Sequence, residues 1–144
     1  MNTIALRFGE HFAPKCGTIA AHQELIDKYG FVWYGKLGTP ISKSAIEDIM
    51  SMDTPKILLI RSGKAERYWA MVSEIKREIP EKLYIPDYYA DNADSFSSWF
   101  KIIEIVPASK DIMSQCRIRS SGATLGEVSK HSMSPYFKIV FEEK

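Results

Sequence analysis

The chain is short of cysteine, histidine and long apolar runs, and it carries almost no net charge. Only Cys16 and Cys116 occur, too few and too far apart in sequence for the disulfide frameworks that hold small secreted domains together. Both are expected to be reduced. His11, Cys16 and His22 supply three candidate zinc ligands, but there is no fourth and no paired C-x-x-C or H-x-x-x-H spacing. No metal is expected, and His22, on an expected helix, is read as structural or solvent-facing. The longest apolar runs, such as Ile57 to Ile60, fall far short of the roughly 20 residues that a membrane span needs. Near the start, Arg7, Glu10 and His11 stand where a signal peptide would have an unbroken apolar core, so a cytoplasmic location is expected.

A net charge of +1, from 19 basic and 18 acidic side chains, gives no long-range attraction to polyanions and argues against tight non-specific duplex binding. The balance conceals a pattern. Residues 36–77 hold eight basic and five acidic side chains, 78–104 two and six, and 105–138 five and two. Brought together in space, the two positive stretches would form a local patch able to touch a few phosphates. Left apart, they are solvated faces of a neutral protein.

What is present describes one packed domain over residues 1–144. The length leaves no room for two independent cores, and 45% hydrophobic with 26% charged residues is ordinary globular usage. Alternation of Ile4, Leu6 and Phe8 predicts a first strand with one buried face. Residues 19–29 read as a helix, with Thr18 as a candidate cap and Gly30 placed for a left-handed C-terminal residue. A loop follows from Tyr34 to Pro40. Ser44 and Glu47 have capping-box spacing ahead of a second helix that ends near Met52. KILLIR and RYWAMVSEI, joined by a glycine-containing turn, read as a hairpin. Residues 80–97 hold two prolines, three tyrosines and several Asp and Asn, and read as an ordered functional loop. WFKIIEIV and YFKIVF read as strands. Between them lie a short helix in SKDIMSQCR and a weaker one around Thr124, Leu125 and Val128. Five or six strands and three or four helices without strict alternation favour a mixed α+β sheet curled into a small barrel.

Nucleotide-cofactor motifs are missing: no G-x-G-x-x-G follows a strand, and Ser62-Gly63-Lys64 is only a turn tripeptide. No cofactor is expected, and no nucleophile–histidine arrangement stands out as catalytic. The stronger signal is aromatic. Trp33, Tyr34, Tyr68, Trp69, Tyr84, Tyr88, Tyr89, Trp99 and Phe100 flank loops and strand ends. Such rings stack on nucleobases for about 1–3 kcal/mol per base, and they equally fill the core of a small barrel. Trp99, inside an alternating strand, is the expected core member.

The order of FVWYGKLGTPISKSAIEDIM, KILLIRSGKAERYWAMVSEI and SSWFKIIEIVPA resembles EVE and YTH domains of the PUA-like superfamily, over about residues 30 to 107. Val32-Trp33, Ser62-Gly63-Lys64 and Phe100-Lys101-Ile102 match the YTH pattern, and Ile85-Pro86-Asp87 followed by Trp99 is similar to the EVE pattern. The resemblance implies a PUA-like barrel. It also implies a reader that holds a flipped, modified base of DNA or RNA in an aromatic cage, with Trp33 as one wall and backbone near Tyr34 as a polar edge. The second cage tryptophan of YTH domains has no counterpart, which leaves Tyr84, Tyr88 or Tyr89 as substitutes. The expected pocket is therefore Trp33, Tyr34, Ser62, Tyr84, Tyr88 and Tyr89, with phosphate contacts from Lys36 and Lys64. Defence, restriction or RNA regulation would be its setting. Two alternatives stand beside this non-enzymatic reading: an ASCH-like nuclease using Lys36 and Tyr34 for acid–base work, and a protein-interaction module built on the acidic, tyrosine-rich loop.

Overall fold

The structure is a computed structural model that describes residues 1–8, 15–61, 66–132 and 134–142. The expected Ser62, Lys64 and His11 lie outside the described residues. Twelve elements follow in chain order: β1 Asn2–Arg7, α1 Thr18–Tyr29, β2 Val32–Leu37, α2 Lys43–Met50, β3 Lys56–Ile60, β4 Arg67–Lys76, α3 Asp87–Ala90, β5 Phe96–Pro107, α4 Ile112–Gln115, β6 Cys116–Ile118, α5 Leu125–His131 and β7 Tyr136–Phe141. Short 3-10 turns at Lys82–Tyr84 and Ala93–Ser95 flank α3. The architecture is α+β, as expected. Seven strands and five α-helices replace the expected five or six and three or four. The extra strand is β6, whose three residues are too few to display a period of two.

Local chemistry sets the boundaries. Gly30 ends α1 at φ +87°, and its N–H donates to the Ile26 carbonyl at 2.7 Å, a conformation that glycine adopts without penalty. The helix begins one residue before expectation, so Thr18 lies inside it and Gly17 holds the cap position. In α2 the cap is Ser42, not Ser44: its side chain accepts from the Ala45 N–H. Both serines lie near that turn, and only Ser42 has the extended backbone a cap needs. Thr124 caps α5 by accepting from Glu127 N–H.

All seven strands form one mixed sheet in the order β2-β5-β4-β3-β1-β7-β6. Only β1 and β3 pair in parallel. The hairpin pairs Lys56–Ile60 with Arg67–Met71, as its sequence predicts. Register shifts at Met71/Val72 and Val72/Glu74 between β4 and β5, and at Lys36/Leu37 between β2 and β5, sharpen the local bend and twist. The sheet curls far enough that Lys36 Nζ of β2 lies 4.8 Å from the ring centre of Tyr136 in β7, although β2 and β7 stand first and sixth in the strand order. Among the described residues no strand pairing closes that gap, so the curled sheet keeps a seam.

Three buried clusters follow from the curl. The inner one gathers Ile4, Leu6, Val32, Tyr34, Ile57, Leu59, Val72, Phe100 and Ile102 with Ile41, Ala45 and Ile49 at and in α2. A second, beneath α4 and α5, takes the opposite faces of the same central strands: Ala5, Leu58, Ile60, Phe137 and Ile139. This explains why β1 is buried on both faces rather than the expected one, since central strands covered on both sides lose their alternation. The third cluster is aromatic: Trp33 and Trp99 lie under Ile85, Tyr89, Ala90 and Ala93. The expected irregular loop at 80–97 is thus an ordered cover for the outer face of β2 and β5.

Candidate functional site

A cavity of about 330 Å³ opens in the seam. One wall is the end of β1 with Arg7 and Phe8, and another is Thr18 and His22 of α1. Tyr34 to Leu37 of β2, Tyr88 and Tyr89 of α3, Phe96 and Pro135 complete it. Its volume lies at the small end of the roughly 300–1,000 Å³ usual for ligand sites, and its mix of rings with a few polar groups is the usual composition.

The rings are mutually oriented. His22 and Tyr34 have centroids 4.8 Å apart, Tyr88 meets Tyr89 edge-on at 4.8 Å, and Tyr89 meets Phe96 at 4.9 Å. At the centre stands the Tyr89 hydroxyl, 2.8 Å from His22 Nε2, 3.1 Å from the Trp33 carbonyl and 3.3 Å from Gly35 N. Trp33 and Gly35 belong to an edge strand that pairs only with β5, so this one oxygen satisfies backbone groups that an edge would otherwise leave bare. Gly35 is required by space: a Cβ there would lie 2.7 Å from Phe96 Cδ1 and 3.0 Å from Trp99 Cζ3.

His22 is 1% exposed. Its Nδ1 lies 2.8 Å from the Thr18 carbonyl, which can only accept, so Nδ1 carries the proton and Nε2 accepts from Tyr89. Burial holds its pKa down at about 4, against the raising effect of the Thr18 carbonyl, so the ring is neutral at pH 7. Burial also pushes the Tyr89 phenol well up, with Tyr88 adding to the effect. That group stays protonated. Both histidine nitrogens are engaged within the protein, and among the described residues no three His, Cys, Asp or Glu side chains gather as a metal ion would need. Both cysteines are free, Cys16 exposed and Cys116 buried with its pKa pushed up to about 12 by burial.

The structure divides the residues expected at the site. Tyr34, Tyr88, Tyr89 and Lys36 line the cavity together; Trp33 and Tyr84 do not. Trp33 points to the other side of β2, where it is 5% exposed within the outer aromatic cluster, with Lys76 Nζ 4.6 Å from its ring centre. Successive side chains of a strand alternate faces, so a wall made of both Trp33 and Tyr34 was excluded once 32–37 formed a strand instead of the expected loop from Tyr34. Tyr84 packs on Phe31 at 4.7 Å and Tyr29 at 5.2 Å, beyond the sealed cluster. Lys36 is 2% exposed, and its ammonium donates to the carbonyls of Leu37 and Thr39; burial lowers its pKa. It is a buried wall residue rather than a phosphate contact reaching into solvent. His22, Phe8 and Phe96 were missed. His22 had a legible signal, since Thr18, His22, Leu25 and Tyr29 recur at helical spacing on one side of α1.

Over residues 4–139 the sequence matches the family model described as Pua-like. The chain belongs to the PUA-like family. The match takes in nearly all of the sequence, including every element from β1 to the middle of β7. PUA-like domains are in general RNA- or nucleic-acid-binding modules, which gives an aromatic cavity in the seam of this PUA-like sheet a chemical context. No curated protein and no solved structure matches the chain. Among the described residues, no helix is long and apolar enough to cross a membrane.

Proposed function

We propose that this PUA-like domain binds a modified, methylated base of an RNA or DNA strand in the seam cavity, in the manner of the EVE and YTH branches that its sequence resembles. The observation that carries this reading is the ring-lined slot itself. Tyr34, Tyr88, Tyr89 and Phe96 surround a space of about 330 Å³, the scale of one planar heterocycle, and an unstacked base needs rings on which to stack. Backbone of the β2 edge at Gly35 supplies a polar rim, and a methyl group gains from apolar contact that water does not offer. The nuclease alternative asks Lys36 and Tyr34 to move protons, yet the Lys36 ammonium is directed at two backbone carbonyls, an arrangement suited to holding the β2 turn. Selectivity would come from fit and stacking rather than charge, in keeping with the net charge of +1.

The test is fluorescence anisotropy with short labelled RNA and DNA strands, each carrying one methylated base or its unmethylated parent. Tighter binding of one methylated strand, with the strand recovered intact, is expected. Equal affinity for every methylated strand and its parent would refute base reading, and cleavage of the strand would favour the nuclease alternative.

A further inference from the structure

We propose that the seam cavity accepts uncharged methylated bases and rejects isomers whose methyl group confers a fixed positive charge; this rests on the base-binding reading above. Aromatic cages ordinarily favour cations, because the faces of the rings are electron-rich. In this cavity the protein's own cations occupy that role. Lys36 reaches the carbonyls of Leu37 and Thr39 and the face of Tyr136 at 4.8 Å. Arg7 donates to the carbonyls of Ser129 and Ser132 and lies 5.5 Å from the ring centre of Phe137. Both side chains line the cavity, and among its described lining residues none is Asp or Glu. His22, the remaining ionisable nitrogen base in the wall, has Nδ1 at the Thr18 carbonyl and Nε2 at the Tyr89 hydroxyl.

A base entering with a positive charge would meet two like charges across a poorly hydrated space, with no carboxylate among those residues to offset the loss of its hydration. A neutral ring meets no such penalty, and its stacking is undiminished. The charge of the wall is therefore a filter that acts on the electronic state of the base more than on its size.

Isomeric pairs isolate that effect: N6-methyladenine against 1-methyladenine, and 5-methylcytosine against 3-methylcytosine. Each pair has the same atoms and differs in charge at neutral pH. Wild-type protein would be titrated with otherwise identical labelled strands carrying each base. In the pair that is read, the cationic isomer should bind at least about tenfold more weakly than the neutral one. Raising the pH until the methylated base loses its charge should narrow that gap, whereas exclusion by shape would leave it unchanged. A cationic isomer that binds as tightly as its neutral partner, or a gap indifferent to pH, overturns the inference and leaves base reading standing. Absence of any preference for a methylated strand over its parent overturns base reading, and the inference with it.

Discussion

Trp33 and Tyr34 are neighbours on one strand, both aromatic and both at most 6% exposed, yet they belong to different regions of the molecule. The Trp33 side is closed: Ile85, Tyr89, Ala90, Ala93 and Trp99 fill it. The Tyr34 side faces the seam, where the sheet curls without closing and His22, Tyr88 and Phe96 leave a space. Burial alone therefore does not distinguish a filler ring from a site ring in a small curled sheet. The deciding fact is whether the neighbouring strands continue their pairing past the ring or stop short of it.

Truncating the closed side should have the largest effect. Trp33→Ala and Trp99→Ala each remove a large ring from a sealed cluster and should cost about 3–5 kcal/mol of stability in urea melts, a large part of the roughly 5–15 kcal/mol of a typical domain. Trp99 is fully buried, and its indole N–H has no hydrogen-bond partner among the described residues. Its contribution is therefore that of an apolar ring, and Trp99→Phe should recover much of the loss. The folded fraction of Trp33→Ala should still bind methylated strands. Loss of binding by protein shown to be folded would return Trp33 to the site and erase the contrast between the two sides.

Acid should act on the seam side next. Unfolded His22 takes up a proton near pH 6.5, while the native ring does so only near pH 4. Between those values the unfolded chain holds the additional proton, so stability falls as pH is lowered from about 6.5 to about 4, and this contribution levels off below that. The difference corresponds to about 3 kcal/mol when fully expressed. Urea midpoints measured across that range should show the decline, and His22→Gln should flatten it. An unchanged slope in that variant would mean that His22 is already charged in the native protein.

How much of this contrast was legible in the sequence depends on the kind of signal. The alternation of residues 99–106 and the KILLIR–RYWAMVSEI hairpin announced strands because period-two burial is written residue by residue. Val32-Trp33 and Phe100-Lys101-Ile102 turned out to be register partners, Val32 opposite Ile102 and Trp33 opposite Lys101, so the resemblance noted tripeptides that the fold places side by side. The split between Trp33 and Tyr34 was hidden, because it depends on β2 reaching Leu37, and the Gly-rich stretch after Tyr34 reads locally as loop. The seam was equally hidden: it is a property of which strands fail to pair, and it brings residues 7, 22, 34 and 89 together from four separate segments. The 80–97 stretch read as irregular because it is made of turns shorter than any period, although its tyrosines are what cover one side and line the other.

Gly35 is the hinge of the comparison and should respond less than the sealed core. The Cβ of Gly35→Ala would meet Phe96 on the ring side and approach Trp99. Overpacking of this kind costs about 1–3 kcal/mol. Because Phe96 also lines the cavity, the same methyl should displace a wall of the slot, so stability and affinity should fall together. Thermal melts and anisotropy on one preparation would check this, and a loss confined to stability would show that Phe96 yields without disturbing the cavity.

The smallest effect on folding is expected at Tyr88, and it gives the sharpest separation of the two sides. Tyr88 is half-buried and meets Tyr89 edge-on, and it belongs to a four-residue helix whose position is held by the Tyr89 hydroxyl rather than by Tyr88. Tyr88→Ala should therefore change stability by less than about 1 kcal/mol, in the range of substitutions away from a sealed core. Removing one stacking ring should still weaken binding of a methylated strand by about 1–3 kcal/mol. Trp33→Ala and Tyr88→Ala should thus have opposite profiles, stability without affinity and affinity without stability. If Tyr88→Ala binds like the wild type, the slot is formed by Tyr34, Tyr89 and Phe96 alone, and the base enters from the β1 side of the seam.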